Sequence, residues 1–155
     1  MSDSPEGVLL DEARRSITRQ ESTLDNLRSR SVAVFAASGV VAGFAAPKFV
    51  SHPASAVPAG IALGAFVVGA VVALAVTWSR WFVFSENLGG YADWVREHND
   101  NPAASRVFTL GLAEHLEANR ENNKPEMRHL TRLFHAQCSL LIVQVVLWAL
   151  AYILA

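Results

Sequence analysis

The chain has 155 residues, 52% of them hydrophobic and only 17% charged, against roughly 25% charged in an ordinary soluble domain. A formal net charge of −1 argues against a strongly basic nucleic-acid binder, and a single cysteine, Cys138, excludes an internal disulfide framework and a Cys-rich metal site. The length favours one compact unit over two independent domains.

Residues 1–31 are polar and read as an amphipathic helix. Ser4-Pro5-Glu6 has the pattern of a helix start: a Ser cap, Pro at the first helical position and an acid in the first turn. Leu10, Ala13, Ile17, Gln20, Leu24, Leu27 and Ser31 then fall at alternating steps of three and four, a heptad seam with one polar interruption. Five arginines and four acids occupy the other faces. Such a helix packs on its own protein or on a second copy, and Leu24 and Leu27 are the candidate contacts.

Val32 to Ala46 carries no charge, and counted through Pro47 and Lys48 to Val50 it reaches 19 residues, enough to span a bilayer if Lys48 snorkels to the headgroups. A signal peptide is the competing reading, with Ala54-Ser55-Ala56 as its small-residue cleavage site. A polar leader of 31 residues with six acids argues against it. Ser51 to Pro58 reads as a short loop. Ala59 to Thr77 is 19 residues without charge, and Thr77 is its only polar side chain. As a helix it reaches about 28 Å, close to the ~30 Å of a hydrocarbon core. Residues 32–78 are therefore expected to form a transmembrane hairpin. Gly39-x-x-x-Gly43 and Gly60-x-x-x-Gly64 are the candidate packing positions, because small residues four apart let helix backbones approach. Packing within the hairpin is favoured over dimerisation.

Residues 79–136 are polar again and are expected to be a cytoplasmic helical segment. Trp78 and Trp81, with Arg80 between them, mark a headgroup boundary. After a break at Gly89-Gly90, Asn101-Pro102 starts a helix. Ala104, Val107, Phe108, Gly111, Leu112 and His115 share one of its faces, and it fades near Asn119 to Asn123. Lys124-Pro125 opens the last helix. There Met127, Leu130, Phe134, Gln137, Leu141, Gln144 and Trp148 again step by three and four, and Leu130 and Phe134 join the docking or oligomerisation candidates. Residues 137–155 form the third window without charge, with Trp148 and Tyr152 as an aromatic belt.

Lys and Arg number five in residues 1–31, one in the loop around 47–58 and seven in residues 79–136. The positive-inside rule puts the N-terminus and the 79–136 segment in the cytoplasm, with the loop and the C-terminus outside. An odd number of spans satisfies the same arrangement. The fold class expected is thus all-α: an integral protein of the cell membrane with three transmembrane helices and cytoplasmic helical extensions. The first and third spans run the same way. Ser38 lies seven residues beyond Ser31, and Gln144 seven beyond Gln137, at similar depth. A Gln in mid-membrane needs a partner, so Ser38 and Gln144 are expected to meet, within a subunit or between subunits. The alternatives are that Gln144 bonds its own backbone or the Gln144 of a neighbouring chain.

The sequence has no Walker A loop, dinucleotide Gly motif, His-Glu-x-x-His or Gly-x-Ser-x-Gly. Glu114, His115 and Glu117 are close in sequence, but His115 and Glu117 do not share a helix face, so no metal site is expected. His98 with Asp100 reads as a polar approach to the next helix, and His129 and His135 as headgroup-level residues. Apart from boundary Lys48 the windows hold no ionisable Asp, Glu, Lys or Arg, which argues against a proton relay or ion-coupled transporter. No catalytic residue and no cofactor is expected. The expected partners are the lipid bilayer and further copies of the chain, and nucleic acid is not among them.

One stretch leads from Leu10-Asp-Glu-Ala-Arg-Arg through Leu27-Arg-Ser-Arg-Ser into an Ala/Gly-rich hairpin. Another leads from Asn119-Arg-Glu-Asn-Asn-Lys-Pro-Glu-Met-Arg through Arg132-Leu-Phe into a span containing Trp148. In this layout the chain resembles small actinobacterial membrane proteins and, more distantly, the SLATT and Pycsar-type transmembrane effectors of nucleotide-signalled antiphage defence. The resemblance covers nearly the whole chain and is one of layout. It implies a cytoplasmic sensor or assembly region coupled to membrane helices that assemble and perturb the bilayer. A nucleotide signal enters only through this resemblance, since no motif supports one. An oligomerising effector is therefore the first functional expectation. The alternative is a small scaffold or accessory subunit docking a partner through residues 79–136, with Trp94, Val95, Phe108 and Leu112 as contacts. A membrane enzyme comes last.

Overall fold

A computed structural model of the chain describes residues 5–49, 53–78 and 102–154. The described residues are all helical: α1 is Pro5–Phe49, α2 is Pro53–Trp78 and α3 is Pro102–Leu154. The Ser4 cap, the Lys48 side chain and everything expected of residues 79–101 (the Arg80 boundary, Gly89-Gly90, Trp94, Val95, His98, Asp100) lie outside the described residues.

Two boundaries differ from those expected. Helix α2 begins at Pro53, so Pro58 is inside it rather than closing a loop. Pro53 suits a first helical position, where the missing N–H has no intrahelical partner, and Pro58 forfeits a single bond near that end. Helix α3 does not fade at Asn119–Asn123 or restart at Pro125, but runs through both. Asn119 and Asn123 are buried on the face that also buries Leu112 and Leu116. Their polarity belongs to a seam rather than to a helix end.

Length alone favours one compact unit, but the chain divides into two. The first takes Met1–Leu24 and Trp81–Met127, the second Asp25–Arg80 and Arg128–Ala155. Both long helices contribute residues to both units.

In the first unit Ile17 and Leu24 of α1 are buried, flanked by half-buried Leu10, Ala13 and Gln20. From α3 the unit buries Ala104, Leu112, Leu116, Asn119 and Asn123. Gln20 Nε2 donates to the Arg120 carbonyl at 3.1 Å. The exposed faces are charged, with Arg15 and Arg19 set around Glu12 at 4.0 and 3.6 Å.

The second unit is a three-helix bundle. Phe35 of α1 stacks on Phe66 of α2 with centroids 5.7 Å apart. Further along α1, Val41 and Ala45 pack against a cluster that holds Ala59 and Ala62 of α2 with Trp148 and Ala151 of α3. The numbering rises along α1 as it falls along α2, so these two are antiparallel. Helix α2 turns small side chains inward (Ser55, Ala59, Ala62, Gly69, Ala73) and points Val57, Ile61, Val67, Val68, Val71 and Leu74 outward. Among the described residues two helices, Ser55–Trp78 and the apolar part of Arg106–Leu154, are long and apolar enough to cross a membrane.

Candidate functional site

The second unit holds a polar ladder between α1 and α3. Ser31 Oγ donates to Gln137 Oε1 at 2.6 Å, and Gln137 Nε2 donates back to the Ser31 carbonyl at 2.9 Å. Seven residues on, Gln144 Nε2 donates to the Ser38 carbonyl at 3.0 Å. All four residues are buried, Gln137 and Gln144 to 2% and 1% exposure. Both rungs join residue i to residue i+106, so here α1 and α3 are parallel and share one register. Heptad spacing on both helices produces this: two turns along each, the same face returns to the seam.

The rungs are amides, a hydroxyl and backbone carbonyls, none of which titrates in the ordinary range. They can hold register and satisfy one another in a dry interior, but they cannot relay a proton. Gln144 therefore meets the backbone of Ser38 within one chain. The Ser31–Gln137 rung is the stronger, with two bonds. It is the Ser38–Gln144 offset carried back one heptad on both helices.

The four glycines do not act alike. A Cβ added at Gly39 would stand 3.9 Å from Phe66 Cε2, in ordinary contact across the α1–α2 packing. Added at Gly43, Gly60 or Gly64 it would meet nothing within 4 Å. The close approach in the hairpin is made by Ala59 and Ala62 instead, which turns Gly60 and Gly64 outward. Leu24 and Leu130, expected as docking side chains, are among the most deeply buried apolar groups of the chain, and Leu27 and Phe134 are half-buried. Their heptad positions put them in an internal seam. Leu112 is buried and Phe108 half-buried, so neither is an open docking contact.

The first unit has an open groove of about 450 Å³. It is lined by Leu9, Ala13, Leu110 and Ala113 together with Ser16, Glu12, Glu114, Glu117 and Arg120. Arg120 Nε donates to Glu117 Oε2 at 2.7 Å, and the same guanidinium reaches Glu121, which also pairs with Lys124. The hydrogen bond from Arg120 holds the Glu117 carboxyl below its ordinary value. Glu114 and His115 are exposed, Cys138 is half-buried, and no group of three metal-ligating side chains occurs among the described residues.

Compared with protein-family models, with curated proteins and with solved structures, the chain matches none.

Proposed function

We propose that the chain is a non-enzymatic integral membrane protein that crosses the bilayer three times and acts as an oligomerising effector. The observation that carries the membrane reading is the surface of the second unit. It exposes Phe35, Val40 and Phe44 on α1, Val67, Val68 and Val71 on α2, and Ile142, Val143 and Val146 on α3. Ser31, Ser38, Gln137 and Gln144 turn inward, and Thr77 and Ser139 bond to their own helix. Thr77 Oγ1 donates to the Ala73 carbonyl at 2.9 Å, and Ser139 Oγ to the His135 carbonyl at 3.0 Å. That is the pattern a hydrocarbon solvent demands.

The ladder supports the third span. A bilayer that holds Gln144 holds Ser38 at the same depth, and with it the charge-free part of α1. The N-terminus and residues 79–136 then face the cytoplasm, as the Lys and Arg counts favour, and the C-terminal end emerges outside. Oligomerisation draws support from Gly60 and Gly64, whose outward stripe leaves a second copy's helix room to approach. Paired reporters test the topology. Alkaline phosphatase fused behind residue 154 should be active and a fluorescent protein there dark, with the reverse at the N-terminus. Induced expression should depolarise cells, and disulfide or photo-crosslinking should give ladders of the chain with itself.

The open groove of the first unit favours a second reading, a scaffold whose mixed apolar and acidic groove takes a partner's helix. One dominant foreign crosslinked product, with no effect of expression on membrane potential, would select that reading over the effector.

A further inference from the structure

The second unit has a charge pattern that the ladder dates to one depth. Arg28 and Arg30 precede Ser31 on α1, and Arg128, His129, Arg132 and His135 precede Gln137 on α3. At about 1.5 Å per residue, Arg30, His135, Arg28 and Arg132 start within about 8 Å of the Ser31–Gln137 level, and His129 and Arg128 about one turn further back. All but half-buried Arg28 are exposed. Asp25 lies 3.7 Å from Arg28 and is the only acid nearby on α1, since residues 26–49 contain none. Residues 127–154 of α3 and 53–78 of α2 contain none either. Among the described residues Arg30, Arg128 and Arg132 pair with no carboxylate.

Directly beyond these arginines the surface turns apolar, with Val32 and Phe35 exposed on α1 and Ile142 and Val143 on α3. A partner that answers both features at once has an anionic, hydrogen-bond-accepting head joined to hydrocarbon. We infer that these residues form a basic collar that gathers anionic phospholipids, their phosphates taken by the guanidinium forks of Arg30, Arg128 and Arg132 and their acyl chains lying along the bundle. An acidic peptide would match the charge and leave the adjoining apolar face uncovered. Guanidinium pairs with phosphate in a bidentate fashion, and basic clusters beside a span attract anionic leaflets. The inference rests on the bilayer reading.

The test uses the full chain reconstituted in phosphatidylcholine vesicles with a minority of phosphatidylglycerol. The readout is the enrichment of phosphatidylglycerol at the protein, by spin-labelled lipid or by mass spectrometry of retained lipid. The native chain should enrich phosphatidylglycerol. Each of Arg30→Gln, Arg128→Gln and Arg132→Gln should lower the relative association about fivefold. Arg14→Gln with Arg19→Gln, in the first unit, should leave it unchanged. Soluble glycerophosphate should fail to displace the lipid. Undiminished enrichment in the triple variant, checked for native helicity, overturns the collar. Full displacement by glycerophosphate overturns it in favour of a free-phosphate site. A chain stripped from the vesicles by alkaline wash sinks the bilayer reading and the collar together. A chain that stays inserted and shows no lipid preference sinks the collar alone.

Discussion

The two units build their α1–α3 seams on the same heptad and fill them with opposite chemistry. In the first, α1 contributes Ile17 and Leu24, and the exterior is Arg14, Arg15, Arg19, Glu12 and Glu21. In the second, α1 contributes Ser31 and Ser38 against Gln137 and Gln144, and beyond Ser31 and Gln137 the exterior is mainly Val, Phe, Ile and Leu. Water rewards the first arrangement, because removing apolar surface from it supplies the driving force. Lipid tails are as apolar as leucine and give no such reward, so helices there hold together by packing of small residues and by hydrogen bonds. On the proposed bilayer reading one periodicity serves two solvents, and the inversion of polarity marks where the solvent changes more sharply than hydropathy along the sequence does.

The contrast can be broken by substitution, and the largest effect is expected in the first seam. Leu24 is 1% exposed, and Leu24→Ala should destabilise by about 2–5 kcal/mol, seen as an earlier thermal transition in detergent. A change below half a kcal/mol would mean that this seam is not a packed core. Next is the exterior of the second unit. Val68→Arg should raise the apparent free energy of membrane insertion by about 2.5–3.5 kcal/mol in a translocon assay, whereas on a water-facing helix it would do almost nothing.

The ladder comes third. A double-mutant cycle of Ser31→Ala and Gln137→Leu should return a coupling of about 0.6–2 kcal/mol, and Gln144→Leu alone a smaller loss, since it removes one bond to a carbonyl. Zero coupling would reduce the ladder to a by-product of packing. Fourth, Gly64→Leu should leave the monomer's stability nearly unchanged, since nothing lies within 4 Å of a Cβ there. If the outward stripe carries self-association, the same change should shorten the crosslinked ladders.

The smallest effect is the pH dependence of the first unit's groove. The Arg120 hydrogen bond lowers the Glu117 carboxyl, so this pair contributes stability above the ordinary carboxylate range. That contribution is lost as pH falls through the lowered value. Glu117 has 48% of its side chain exposed, which leaves the contribution slight. Unfolding of Glu117→Gln compared with the parent at neutral and acidic pH should show a small gap that closes on acidification.

Much of the architecture was readable in advance from periodicity. The seam from Leu10 to Ser31 and the one from Met127 to Trp148 are helix faces that carry the buried residues, because an α-helix repeats closely enough to seven residues for heptad steps to stay on one side. Three features were hidden for physical reasons. Asn119 and Asn123 carry the composition of a helix end, and only the burial of their face identifies them as seam. Pro58 and Pro125 read as breaks, but a helix held by neighbours tolerates one missing bond. The glycine pairs read as packing positions, yet whether a small residue faces in or out depends on helix rotation. In α2 the rotation is set by alanines one position away, with Ala59 inward and Gly60 outward.

The central claim is that, beyond Ser31 and Gln137, the second unit keeps its glutamines inside and presents its apolar side chains to lipid. The most direct measurement is collision accessibility of nitroxide labels in reconstituted bilayers, in a Cys138→Ser background. Labels at Val68 and Val143 should collide freely with dissolved oxygen and hardly at all with a water-soluble nickel complex, while a label at Ala62 should be shielded from both. Free access of the nickel complex to Val68 and Val143 would contradict the account.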